Sequence, residues 1–184
     1  MAEHGLPGPV KPPFSRIIAP DQLGSALEGR IEANGAERER LAEFYKIGAL
    51  ASLTLDYSLD PLPSGGYRLT GALKAELTQR CVITLEPVAE VIREDISLEF
   101  WAEHRISQTD FHSETDDSLE SDPPEAIIDG RIDLGHVAAE IFASAINPYP
   151  RKAGVEFDWT DPKAASNETD SKPFAALARL KDKE

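Results

Sequence analysis

The chain contains a single cysteine, Cys81, within the stretch RCVITLEPVAEV at residues 80–91. A nucleophilic cysteine needs a base or a positive field to lower the pKa of its thiol, and a zinc site usually takes thiols or imidazoles paired at short spacing. The four histidines stand at the scattered positions 4, 104, 112 and 136. This pattern favours a buried structural thiol, and it predicts neither a metal site nor another cofactor site.

Other catalytic patterns are missing from the sequence. There is no G-x-x-x-x-G-K-[ST] phosphate loop, no G-x-S-x-G nucleophile elbow and no H-E-x-x-H zinc motif. The 33 aspartates and glutamates are abundant, but no spacing singles out a general acid and a general base. We therefore expect a protein that is not an enzyme and has no small-molecule substrate.

Alternating apolar and polar residues predict the strands that position Cys81. Residues 53–59 alternate strictly, and after a turn-rich segment at 60–66 a second alternation runs through 67–77. The two segments predict an antiparallel hairpin, and a count of two from Leu77 brings Cys81 onto its apolar face. A third strand is expected over about 88–101, where Glu94 interrupts the apolar phase and suggests a bulge, or a division into two strands.

Two segments have the periodicity of amphipathic helices. In NGAERERLAEFYK, Asn34 can cap the helix and Glu37 completes a capping box. In IDLGHVAAEIFASAINPYP, Asp133 can cap and Pro148 stops the helix. Neither helix carries a basic stripe, so packing on the sheet is favoured over a membrane surface. The predicted fold is α+β, with an antiparallel sheet that could curve into a partial barrel under the two helices.

Charge is unevenly distributed along the chain, which has a formal net charge of -14. Residues 110–125 contain seven acids and no lysine or arginine, which predicts an acidic loop at about 108–126. We expect one domain in residues 1–150 and an extended tail with a short C-terminal helix in 151–184. No apolar run reaches the roughly 18 residues that a membrane helix needs, and the N-terminus does not resemble a secretory signal. These features favour the cytoplasm.

Several segments together resemble the YceD family, the large ribosomal RNA subunit accumulation proteins, in the form found in alphaproteobacteria. The resemblance is carried by RCVITLEPVAEVI, by DPPEAIIDGRIDLGHVAAEIFASAINPYPRKAG and by KPFAALARLK, with ERERLAEF and ALASLTLDYSL before them. Many members of this family have a C-x-x-C pair and sometimes another cysteine after the proline-rich helix end. Here Thr84 stands at the second position and residues 149–152 provide no thiol, so this chain departs from the metal-binding pattern.

The resemblance implies a role in large-subunit ribosome biogenesis without known enzymatic chemistry. Two kinds of partner remain open: large ribosomal RNA, held by converging basic residues, or a basic large-subunit ribosomal protein, held by the acidic loop and the aliphatic C-terminal segment. The candidate interaction residues are Arg80, Glu86, Arg131, Tyr149, Arg151 and Lys152. Structural roles in a strand, a turn, a helix cap and a helix stop are expected for Cys81, Pro87, Asp133, Pro148 and Pro150.

Overall fold

A computed structural model describes residues 12–19, 26–63, 65–106 and 123–159. The chain divides into two compact units, one ending at Ala153 and the other beginning at Gly154. The first unit contains all the helices and strands described below. In the second, residues 154–159 are the described part and have no regular secondary structure beyond a turn at Gly154.

The first unit is built on a five-stranded sheet. The strands follow the order β2 (Leu27–Glu32), β3 (Ala49–Pro61), β4 (Tyr67–Arg80), β5 (Pro87–Ala102) and β6 (Glu125–Ile127). All neighbours are antiparallel except β5 and β6, which run parallel. The sheet ends at β2 and β6 and does not close on itself. The predicted α+β class with a mainly antiparallel sheet is confirmed.

The predicted hairpin corresponds to β3 and β4. Leu55 pairs with Leu73 and Leu59 with Leu69, and all four side chains are buried. The bulge expected near Glu94 is wrong, because β4 and β5 pair without a register shift from one end to the other. Glu94 faces solvent, so its charge needs no break in the ladder. The observed irregularity is in β3, between Leu50 and Ser52.

Helix α1 (Gly35–Phe44) begins with the capping box that the sequence predicts. Asn34 accepts from the backbone N–H of Glu37, and the Glu37 carboxylate accepts in return from the backbone N–H of Asn34. The same carboxylate receives both guanidinium nitrogens of Arg16 at 2.8 Å. This pair of parallel hydrogen bonds is a strong form of the arginine–carboxylate interaction. It links the segment at Arg16 to the start of α1.

Helix α3 (Leu134–Ala145) has Asp133 as its N-cap and packs on the sheet, as does α1. Its Phe142 ring contacts Tyr45 edge-on at 5.6 Å, and the Tyr45 hydroxyl donates to the carbonyl of Ala139 at 2.9 Å. The core cluster joins these helices to the leucines of β3 and β4. None of the described helices is long and apolar enough to span a bilayer.

Several short elements had no counterpart in the sequence prediction. They are β1 (Ile17–Ile18), β2, α2 (Glu103–Ile106), β6 and β7 (Ile132–Asp133), and β1 pairs with β7 in a separate two-stranded sheet. Most of the predicted acidic loop lies outside the described residues, but its last two residues, Glu125 and Ala126, belong to β6. The predicted C-terminal helix also lies outside them.

Candidate functional site

Residues 81–86, hereafter the Cys81 loop, connect β4 to β5. The backbone N–H of Cys81 donates to the carbonyl of Glu86 at 2.8 Å, and that of Leu85 donates to the carbonyl of Cys81 at 2.9 Å. Leu85 adopts a positive φ of 61°, a conformation uncommon for a branched apolar residue. The loop is therefore a tight turn closed by its own backbone.

Residues 147–152 follow α3 and lie against the Cys81 loop. Val82 donates its backbone N–H to the carbonyl of Pro150 at 2.9 Å, and the Gln79 side chain donates to the carbonyl of Asn147 at 3.0 Å. The backbone N–H of Lys152 points to the sulfur of Cys81 at 3.4 Å. The fold thus brings together two segments that are about 70 residues apart in sequence.

The Cys81 sulfur is an acceptor of several hydrogen bonds. It is fully buried, and the backbone N–H of Thr84 approaches it at 3.5 Å. The hydrogen bond from the Thr84 hydroxyl, followed by those from the N–H groups of Lys152 and Thr84, lowers the pKa of the thiol to about 6, although burial opposes this shift. Cys81 is buried, as expected, but it lies outside the main hydrophobic cluster. The reason is that β4 ends at Arg80, so Cys81 belongs to the loop, whose N–H groups point at the sulfur.

The donor set around Cys81 does not fit the metal site implied by the cysteine-paired members of the family. The groups around the sulfur are amide N–H groups and the Thr84 hydroxyl, all of which donate hydrogen bonds to it. A metal ion placed there would have the Cys81 thiolate as its single protein ligand among them, whereas a zinc site takes three or four. Within the described ranges, no group of three or more His, Cys, Asp or Glu side chains could hold a metal ion. A thiol with a pKa of about 6 is largely thiolate at neutral pH, but the sulfur is fully buried, which keeps a substrate from reaching it.

Basic and exposed apolar side chains lie on the Cys81 loop and beside it. We call this surface the basic tip, and it consists of Arg80, Val82, Leu85, Tyr149, Arg151 and Lys152. Tyr149 is 70% exposed and Leu85 68%. Arg80 and Arg151 are exposed and have no ion pair or side-chain hydrogen bond with the described part of the chain.

Lys152 is the one cation of the basic tip with a recorded ionic partner. Its ammonium group lies 2.8 Å from the Glu86 carboxylate. This hydrogen bond lowers the pKa of Glu86 and raises that of Lys152. Two of the three cations of the tip are therefore available to a ligand.

Five of the six candidate interaction residues meet at this end of the molecule, and Arg131 does not. Arg131 precedes β7 and the N-terminus of α3, whereas the basic tip follows the C-terminus of the same helix. Val82 and Leu85 were missed as members of this surface, because apolar residues in a turn look like ordinary loop residues in a sequence.

The remaining motif residues have local structural roles. Pro87 opens β5, and Pro148 follows the end of α3. Asp133 is the N-cap of α3, where its carboxylate accepts from the Ser15 hydroxyl at 2.6 Å and from the Arg16 N–H at 2.7 Å. Burial opposes ionisation of Asp133, but these bonds and those from two N–H groups of α3 hold its pKa below the usual value.

Comparison with known proteins gives one family match. Residues 69–181 match the family described as large ribosomal RNA subunit accumulation protein YceD. The matched range includes the Cys81 loop, α3 and the basic tip. No curated protein and no solved structure matches the chain.

Proposed function

The chain belongs to the YceD family of large ribosomal RNA subunit accumulation proteins, and we propose that it is a non-enzymatic factor of large-subunit biogenesis that contacts RNA through the basic tip. In this proposal the protein acts in the cytoplasm and supports accumulation or processing of the large ribosomal RNA. Membership of the family supports a role in large-subunit biogenesis. The basic tip supports RNA contact, because its cations and its exposed ring can bind phosphates and bases.

RNA contact is supported by the exposed side chains of Arg80, Tyr149 and Arg151, which belong to two segments joined by hydrogen bonds in a chain of net charge -14. Phosphates are bound by unpaired cations, and unstacked bases are bound by exposed aromatic rings. A strongly acidic protein repels RNA over most of its surface, so a local basic patch with an exposed ring defines where contact can occur. Single-stranded or looped RNA is the fitting ligand, because its bases can stack on Tyr149.

A binding assay with fragments of the large ribosomal RNA tests this function. We expect Arg80→Gln/Arg151→Gln to weaken binding and to reduce the slope of log affinity against log salt by about 1.4, since each phosphate contact to single-stranded RNA contributes roughly 0.7. The matched control is Lys74→Gln/Arg93→Gln, which removes two exposed cations from the sheet. An equal loss in the control would mean that RNA binding is not located at the tip.

The Tyr149 ring has a separate test. Tyr149→Ala should weaken RNA binding about 5-fold or more, and Tyr149→Phe should restore most of the affinity, because stacking needs the ring and not the hydroxyl. The two variants should fold equally well, since the side chain is exposed.

A second candidate function follows from the net charge of -14. An acidic adaptor or chaperone could hold a basic ribosomal protein without touching RNA. Affinity capture from lysate, with and without nuclease, separates the two functions. Large ribosomal RNA lost after nuclease treatment supports the RNA-binding factor, and a ribosomal protein retained after treatment supports the adaptor.

A further inference from the structure

A pocket lies at the other end of α3, where the chain divides between the two sheets. Ile128 and Arg131 form a single antiparallel bridge around a turn with positive φ at Asp129 and Gly130. Before this turn, β6 joins β5 of the large sheet, and after it β7 joins β1 of the small one. The space between the diverging strands and the first turns of α3 is a pocket of about 410 Å³.

The pocket is apolar at its base and at two points of its edge. Phe100, Ile132 and Val137 line it and are buried. Ile17 and Ile128 also line it but are 59% and 55% exposed. Two large aliphatic side chains left in water beside an apolar pocket are typical of a surface that a partner covers.

The charged groups of the pocket are mainly negative. Four carboxylates line it, those of Glu125, Asp129, Asp133 and Glu140, against the single guanidinium of Arg131. Asp133 is fully used as the α3 cap, which leaves the carboxylates of Glu125 and Asp129, and that of Glu140 beside His136, to face a ligand. An anionic ligand would be repelled here, whereas a cationic one would be attracted.

His136 lines this pocket and has one polar atom without a partner among the described residues. Its Nε2 lies 3.3 Å from the Glu140 carboxylate, while its Nδ1 is buried and has no hydrogen-bond partner in the described structure. A buried ring nitrogen without a partner is costly. Because this atom is buried, a ligand in the pocket would reach it only after the His136 side chain moves.

We propose that this pocket docks a basic segment of a partner protein, with an aliphatic or aromatic side chain against the pocket base and neighbouring lysines or arginines against Glu125, Asp129 and Glu140. A peptide matches the site better than a nucleic acid, because the lining is both acidic and apolar. The site is separate from the basic tip and does not depend on RNA binding there.

The test is a selection of displayed random peptides on the immobilised full chain. We expect the selected peptides to share a large apolar residue next to two or more Lys or Arg residues. The best peptide, made synthetically, should bind Ile17→Ser/Ile128→Ser about 10-fold more weakly, since two apolar contacts are lost. It should bind Glu125→Gln/Glu140→Gln several-fold more weakly, with a smaller difference at high salt.

Exposed residues elsewhere provide matched controls. Val91→Ser removes a similarly exposed aliphatic side chain from β5, and Glu39→Gln/Glu94→Gln removes two exposed carboxylates. These controls should leave peptide affinity unchanged. Selection of no peptide, selection of peptides without basic residues, or equal weakening by the controls would overturn the proposal. Binding of RNA that is sensitive to the pocket variants would overturn it as well.

Discussion

At the scale of single residues, Cys81 shows how a free thiol can be buried without being inert. Its sulfur is enclosed by donors from Thr84, Lys152 and Ile83, which favour the thiolate over the thiol. Because the pKa in the folded protein is about 6 and the usual thiol value is roughly 8.5, the thiolate stabilises the folded state. This contribution is complete above the unfolded pKa and is lost as pH falls through 6.

A thiolate titration measures this directly. Absorbance at 240 nm should rise with a midpoint near pH 6 in the native protein and near 8.5 in urea, in line with the pKa of about 6 for Cys81. Cys81→Ala provides the baseline and should lower the melting temperature more at pH 9 than at pH 5.5. A native midpoint at or above 8.5 would contradict the hydrogen-bonded thiolate.

Metal removal is a second test at this scale. The hydrogen-bond donors around Cys81 occupy the sulfur lone pairs that a metal ion would need. Thr84 stands at the second cysteine position of the family motif, so the thiol pair is missing. Prolonged dialysis against a chelator should therefore leave the melting temperature unchanged. Thr84→Cys, which restores the thiol pair, is the comparison, and a chelator-sensitive melting temperature in the unmodified chain would refute the prediction.

At the scale of elements, two helix-starting glycines have opposite surroundings. A β-carbon on Gly135, in the first turn of α3, would meet backbone atoms of Ser15 and Arg16 at 2.7 Å. A β-carbon on Gly35, at the start of α1, would meet nothing within 4 Å. The close approach at Gly135 lets the segment before β1 lie across α3, where Leu134 donates its N–H to the carbonyl of Arg16 at 3.0 Å.

Alanine substitutions at these glycines should have effects of opposite sign. Gly35→Ala should be neutral or stabilise by up to about 1 kcal/mol, since alanine is the better helix former. Gly135→Ala should instead destabilise by roughly 1–3 kcal/mol, as overpacking does. Urea unfolding compares the two variants, and a stabilised Gly135→Ala would show that the segment does not lie against α3.

The salt bridge between Arg16 and Glu37 makes a further prediction about the same segment. The hydrogen bond from Arg16 is the main cause that holds the pKa of Glu37 below its usual value, so its contribution is present above about pH 4.3 and is lost as pH falls further. Glu37→Gln should destabilise the protein by about 1–2 kcal/mol at pH 7 and by less at pH 3, as measured by urea unfolding. Glu39→Gln, an exposed change on the same helix, should have little effect at either pH.

The predictability of these elements follows from their length. The strands β3, β4 and β5 have 13 to 16 residues each, and alternation along part of each strand allowed all three to be predicted from sequence alone. The strands β1 and β7 have two residues each and carry no measurable period. The basic tip and the pocket join residues far apart in the chain, and local patterns give no information about such meetings.

At the scale of the whole molecule, α3 separates two surfaces of opposite charge. The pocket lies at its N-terminal turns and the basic tip follows its C-terminus. Twelve helical residues place these ends roughly 18 Å apart. This arrangement fits both proposals, in which a chain of net charge -14 holds RNA at one end of α3 and a basic protein segment at the other.

Simultaneous binding is the consequence to test. The chain should be captured on immobilised large ribosomal RNA, and the peptide selected for the pocket should then add mass without releasing the chain. Ile17→Ser/Ile128→Ser, captured to the same level, should bind little peptide, which separates pocket binding from direct contact between peptide and RNA. The two surfaces are separated by the length of α3, so the two ligands should not compete. Displacement of the chain by the peptide would mean that both ligands bind one surface. The separation of charge would then have no functional role.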